Sequence, residues 1–160
     1  MPPKVQSIPQ GCHTLTPHLV VRDASLAIEF YKLAFGAEER RRMPGPGGKG
    51  VLHAELQIGD SVLFLCDEFE LSSTRAPFSL KGTTVTIHLY VPDADVAYNR
   101  AIAAGAKVTL PIADMFWGDR FAKLTDPFGH EWSIATHKED LTPEEMERRA
   151  RAVFEPVVRL

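Results

Sequence analysis

Two histidines stand out because the chain repeats around them. Thr16-Pro17-His18-Leu19-Val20-Val21-Arg22-Asp23-Ala24 and Thr86-Ile87-His88-Leu89-Tyr90-Val91-Pro92-Asp93-Ala94 agree at six of nine positions, at a constant offset of 70. A neutral imidazole is the commonest side-chain ligand of a protein-bound metal. His18 and His88, related by an internal repeat, can converge on one divalent ion, with Glu55 or His53 completing the set. The same pair can equally line a cleft as hydrogen-bonding groups, and no ligand-spacing motif decides between the two. Glu55, two residues from His53, is a candidate general base. Its ordinary alternative is a cross-strand ion pair with Lys123. Phe64, Tyr90, Trp117 and Phe121 can form an aromatic wall for a planar ligand, or simply pack. Arg120 can receive an anionic substrate or pair with Asp119. Cys66 shares the Phe64 face but has no base near it in sequence, which argues against nucleophilic catalysis.

The elements that position these groups follow from the repeat. Asp23 and Asp93 each precede a helical stripe and suit an N-cap. Gly36 and Gly105 close the two helices, each within a Gly-Ala pair. Three strand-like runs follow each helix, roughly 37–43, 51–58 and 61–67, then 107–113, 119–125 and 130–137. Gly59-Asp60 and Asp126-Pro127-Phe128-Gly129 are the turns before the last strand of each set. The chain reads as one domain over 1–160. Module one spans about 12–68, a linker about 69–82, module two about 83–138, and a tail helix about 142–153 starts at Thr142-Pro143. That helix can serve as a docking element. The fold class is α+β: two tandem βαβββ modules form a curved, mostly antiparallel sheet around a cleft, plus a C-terminal helix.

Alternation assigns the faces of the strands. Leu52, Ala54, Leu56 and Ile58 take one side of their strand, and His53, Glu55 and Gln57 the other. Leu19 and Val21, then Val85, Ile87, Leu89 and Val91, oppose His18 and then Thr84, Thr86, His88 and Tyr90. The polar side carries His, Thr, Tyr and Gln where a solvated face would carry Lys and Glu. It is therefore read as the lining of a concave ligand site, built from His18, His53, Phe64, His88, Tyr90, Trp117, Arg120, Phe121 and Ser133.

Composition bounds the rest. The chain has 160 residues, a net charge of −3, 24% charged and 44% apolar residues. That balance gives no electrostatic reason to bind nucleic acid, and no apolar run approaches a membrane span. Met1-Pro2-Pro3-Lys4-Val5 lacks the apolar stretch of a leader. Two cysteines, Cys12 and Cys66, cannot make a disulfide framework. A reducing cytoplasm is the expected compartment.

The paired βαβββ units, with Phe30-Tyr31-Lys32-Leu33-Ala34-Phe35-Gly36-Ala37, His53-Ala54-Glu55-Leu56, Asp114-Met115-Phe116-Trp117-Gly118-Asp119-Arg120, and Asp126 to His130 through Ser133 to His137, resemble the vicinal oxygen chelate superfamily. That superfamily includes glyoxalase I, extradiol dioxygenases and bleomycin-resistance proteins. The likeness covers about residues 12–138 and is nearest to the PhnB-like branch. It implies a small organic ligand in the cleft and a homodimer. It also implies a divalent metal held from the first and last strand of each module, at Thr16, Phe64, Thr86 and Ser133. Phe64 has no lone pair to give, and neutral hydroxyls are poor substitutes for His or carboxylate. The expected function is binding of a small organic molecule with the reaction unassigned. The alternatives are a metal-dependent lyase, isomerase or dioxygenase, and a non-catalytic protein that sequesters an antibiotic or toxin.

Overall fold

The computed structural model describes residues 5–155; the Met1–Lys4 part of the leader reading lies outside them. Module one runs β1 (His18–Val21), α1 (Ala24–Phe35), β2 (Glu38–Pro44), β3 (Val51–Ile58) and β4 (Ser61–Asp67). Module two repeats it with β5 (Thr86–Tyr90), α3 (Ala94–Ala104), β6 (Lys107–Asp114), β7 (Asp119–Thr125) and β8 (Glu131–His137). A short helix, α2 (Pro77–Leu80), interrupts the linker, and α4 (Pro143–Phe154) ends the described chain. The repeat, the α+β class and the C-terminal helix are as the sequence reads; α2, only one turn long, left no periodicity to detect.

The helix boundaries have local causes. Asp23 and Asp93 accept from the amides of Leu26 and Val96, each at 3.0 Å. Gly36 adopts φ 66°, a left-handed cap that costs a side-chain residue strain. Thr142 accepts from the Glu145 amide at 3.2 Å and starts α4. The buried Asp67 carboxylate ties module one together, taking the Ala24 amide at 2.8 Å and the Val51 amide at 2.7 Å.

Each module is its own four-stranded sheet, in the orders β1-β4-β3-β2 and β5-β8-β7-β6. β1 runs parallel to β4, and β5 parallel to β8; the other pairs are antiparallel. The sheets are mixed, and neither closes on itself or joins the other. One alternation expectation fails at its end. Leu52 is 46% exposed while Val51 is buried, because the β2–β3 register slips between Met43 and Pro44 at the start of the strand. Val85 lies just ahead of β5 and is exposed rather than apolar lining.

The modules meet through their helices, α1 lying along α3. Tyr31 and Phe35 of α1 reach Trp132 of β8, with ring centroids 5.4 and 4.5 Å apart. Asp126 is buried at this seam and takes four donors: Tyr31 Oη at 2.6 Å, Trp132 Nε1 at 2.9 Å, and the amides of Phe128 and His130. A buried carboxylate is tolerated on those terms. Both apolar sheet faces and both helices share one core. The polar faces, on the opposite sides of their sheets, therefore turn outward from it. The tail helix makes two contacts with module two, Phe154 against Phe116 at 5.7 Å and Arg149 on Glu139 at 2.6 Å.

Candidate functional site

The first polar face is built from β1, β3 and β4. The β1–β4 register sets His18 opposite Phe64, and the β3–β4 register sets Glu55 opposite Phe64 on its other side. His53 meets the Phe64 ring edge-on at 4.8 Å, and His18 stands 6.2 Å from both rings. His53 Nε2 and Glu55 Oε1 are 3.3 Å apart, so the partner of Glu55 is His53 and the cross-strand pair with Lys123 does not form. Lys123 lies in β7, on the other sheet. Partial burial, and then the neighbouring His53, lower the His18 pKa. At neutral pH His18 is therefore an uncharged imidazole that can accept or donate.

The second face is its repeat-related counterpart on β5, β7 and β8. His88 stands opposite Ser133, and its Nδ1 lies 2.7 Å from the Ser133 hydroxyl. It meets Tyr90 edge-on at 4.4 Å and stacks on Phe121 at 6.0 Å, and Phe121 in turn meets Trp117 at 5.2 Å. Burial lowers the His88 pKa, against a smaller upward pull from Asp119. Tyr90 is 62% exposed, so this face too is open.

Asp119 holds the second face together, and sequence reasoning missed it. Its side chain is 6% exposed and accepts from Trp117 Nε1 at 3.2 Å and Tyr90 Oη at 3.4 Å, with His137 Nδ1 at 2.8 Å. The strand alternation of β7, which sets Asp119 two residues from Phe121, was the available signal. Arg120 was expected to face the ligand or pair with Asp119. Its partner is not Asp119: its guanidinium forks onto Asp95 at 2.9 and 3.0 Å and reaches Asp114 at 3.5 Å. That pairing fixes α3 against the β6–β7 hairpin and leaves Arg120 engaged.

The expected residues thus fall into two groups. His18, His53, Glu55 and Phe64 come together, and so do His88, Tyr90, Trp117, Phe121 and Ser133. Among the described residues no ring contact, hydrogen bond or ion pair joins one group to the other within a chain. Within one chain the aromatic residues form two separate clusters, because Phe64 and Phe121 belong to different sheets.

The four inherited metal places do not fit a metal. Thr16 donates its hydroxyl to the His13 carbonyl at 3.0 Å, Phe64 offers only a ring edge, Thr86 is exposed, and Ser133 is taken by His88. Among the described residues no three His, Cys, Asp or Glu side chains gather to hold an ion.

A cavity of about 770 Å³ lies elsewhere, at the helix seam. It reaches the free edge of β5, where His88 and Tyr90 stand, but takes in none of His18, His53 or Phe64.

Comparison with known proteins agrees with this architecture. The model of the glyoxalase/bleomycin resistance protein/dioxygenase superfamily matches residues 12–134. An uncharacterized protein of Mycobacterium tuberculosis is 44% identical over 136 residues, covering 83% of this chain and 79% of that protein. The X-ray structure of an Arabidopsis thaliana gene product superposes with a TM-score of 0.64 at 32% identity, over 77% of this chain and 98% of the other. A PhnB protein from Bacillus cereus shares the fold at 16% identity, with a TM-score of 0.60 over 78% of this chain and 99% of the other.

Proposed function

The chain belongs to the glyoxalase/bleomycin resistance protein/dioxygenase superfamily, and from that premise we propose that it binds a small organic molecule without metal-assisted chemistry. The observation that carries the reading is the pair of outward polar faces. Each holds a pKa-lowered histidine against aromatic rings, and the inherited ligand places hold Thr16, Phe64, Thr86 and Ser133. Uncharged imidazoles, hydroxyls and ring faces recognise a planar, oxygen-bearing compound by hydrogen bonds and stacking. The inherited ligand places, with a phenyl ring and neutral hydroxyls, are poor donors for a Lewis-acidic metal. Sequestration of such a compound is the function these groups support best.

The complete site takes two copies of the chain. Within one chain the faces are half-sites with no roof. β1 and β5 are both edge strands, with repeat-related backbone groups on their free sides. A second copy that sets its module two over module one of the first would bring His18 of one copy and His88 of the other into one cleft. A homodimer then holds two equivalent clefts. The free thiols of Cys12 and Cys66 support a reducing, cytoplasmic setting.

The test is a thermal-shift screen of aromatic and antibiotic compounds on the full-length protein, with bound metal measured after chelator-free purification. The expected result is metal-free protein and a ligand whose stabilisation disappears in Phe64→Ala and in Phe121→Ala alike. Stoichiometric metal that is lost in His18→Ala and His88→Ala would overturn the reading in favour of a metal-dependent enzyme.

A further inference from the structure

The helix seam has two repeat-related sides, and they are filled differently. On one side the turn 126–130 of module two reaches module one. Phe128 sets its ring 6.1 Å from Phe30 and 6.3 Å from Tyr31, and His130 Nε2 lies 3.0 Å from the Val20 carbonyl. On the other side the corresponding turn of module one is only Gly59-Asp60, since Ile58 already pairs with Ser61. It carries no aromatic residue. The helix positions that answer to Phe30 and Tyr31, at the offset of 70, are Arg100 and Ala101. Three large rings on one side are thus matched on the other by a short turn, a methyl group and a guanidinium. The 770 Å³ cavity is what that substitution leaves, and its size suits a small molecule.

Its walls say what would fill it. Ile58, Leu63, Leu89, Ala97 and Trp132 supply apolar surface, and Arg100 supplies a cation at one end. Arg100 gives one bond from Nη2 to the Leu33 carbonyl at the end of α1, at 3.2 Å. Among the described residues it has no carboxylate partner, and a guanidinium has five donors. The carboxylates in the lining are engaged. Asp93 caps α3 through the Val96 amide, and Asp60 takes the Ser61 hydroxyl. Asp93 lies seven residues from Arg100, about 10 Å along the helix. One end of the cavity therefore attracts an anion and the other repels it.

We propose that this cavity, which adjoins the second polar face at His88 and Tyr90, is a second ligand site, for an aromatic monocarboxylate. The ring takes the place that Phe128 fills in the repeat-related half, and the carboxylate pairs with Arg100 by a charge-assisted fork. The ring and carboxylate positions are set by Ala97, Trp132 and Arg100, so the inference does not require His18, His53, Phe64 or Phe121, although His88 and Tyr90 border both sites.

The probe is 3-phenylpropionate, titrated into the full-length protein while the two tryptophan indole N–H resonances are followed by NMR. Trp132 lines the cavity, and Trp117 belongs to the second polar face. The expected result is a saturable shift of Trp132, with a Kd of about 1 mM or tighter for a ligand of this size. Trp117, linked to the cavity only through Asp119 and Tyr90, should move less than Trp132. Arg100→Gln, an exposed position, should weaken binding about tenfold or more, and so should replacing the probe by its uncharged amide with the wild-type protein. Ala97→Phe should abolish it by filling the space. No saturable Trp132 shift up to about 20 mM would overturn the proposal. So would equal affinity for acid and amide, or a shift confined to Trp117, which would place the ligand in the polar cleft instead.

Discussion

Removing the Tyr31 hydroxyl, by Tyr31→Phe, isolates one bond between the modules. Tyr31 is fully buried, and its hydroxyl donates to Asp126 at 2.6 Å across 95 residues of sequence. Burial, and then the Asp126 carboxylate, push its pKa well above the usual value, so it remains a donor across the working pH range. A hydrogen bond to a charged group contributes about 1.5–3 kcal/mol. Asp126 keeps three other donors in the variant, so the lower part applies, about 1.5–2 kcal/mol. The ring stays, and with it the stacking on Phe35 and the tilted contact with Trp132. For a domain of this size each kcal/mol moves Tm by about 2–4 °C, giving a fall of about 3–8 °C. Tyr31→Ala, which also empties ring volume, should cost about 3–5 kcal/mol. Calorimetry and urea unfolding at one protein concentration measure both, since association would shift apparent stability. A loss below about 0.5 kcal/mol in Tyr31→Phe would refute the argument that this carboxylate ties the modules together.

Three further outcomes follow from the two faces. His137 is raised by its bonds to Asp140 and Asp119; the stability it contributes is complete below its unfolded pKa and is lost as pH rises through the raised folded value, so Tm of wild type minus Tm of His137→Ala should shrink from pH 5 to pH 9. His18 and His88 are lowered by burial, which has the opposite sign; stability tied to their neutral forms is lost as pH falls below their unfolded pKa, and their ring protons should titrate below 6.5 in NMR spectra, with titration above 6.5 contradicting the burial argument. Asp119→Asn should weaken three partners at once and alter Trp117 emission, while leaving Trp132, which donates to Asp126, unchanged in its indole resonance.

Much of the fold was legible because it is written twice. The Thr-x-His-Leu-x-Val-x-Asp-Ala repeat, the Asp caps and the Gly ends fix where each module begins and turns, and β3, β4 and β7 fall where alternation sets them. The site was legible residue by residue but not in its assembly. Period-two alternation puts His18 and His88 on polar faces, yet says nothing of whether those faces meet, which depends on how α1 packs along α3. The partner of Arg120 was not legible because Asp95 lies 25 residues away on a helix, beyond any local pattern. Asp126 reads as a turn residue, and only the packed seam makes it the acceptor of Tyr31 and Trp132. The cavity at Arg100 comes from a difference between the repeats, which a search for their likeness passes over.

The most direct measurement of the account is a distance between two chains. One chain carries a nitroxide at His18→Cys and the other at His88→Cys, in a background with Cys12→Ser and Cys66→Ser, and the two are mixed before pulsed dipolar spectroscopy. If two copies complete each cleft, the mixture gives a short inter-chain distance, of the order of the ~10 Å between facing sheets plus the label linkers. Chains labelled only at His18 do not give it. A monomeric mass in solution, or a mixture without that short distance, would contradict the claim that the polar faces are halves of one binding site.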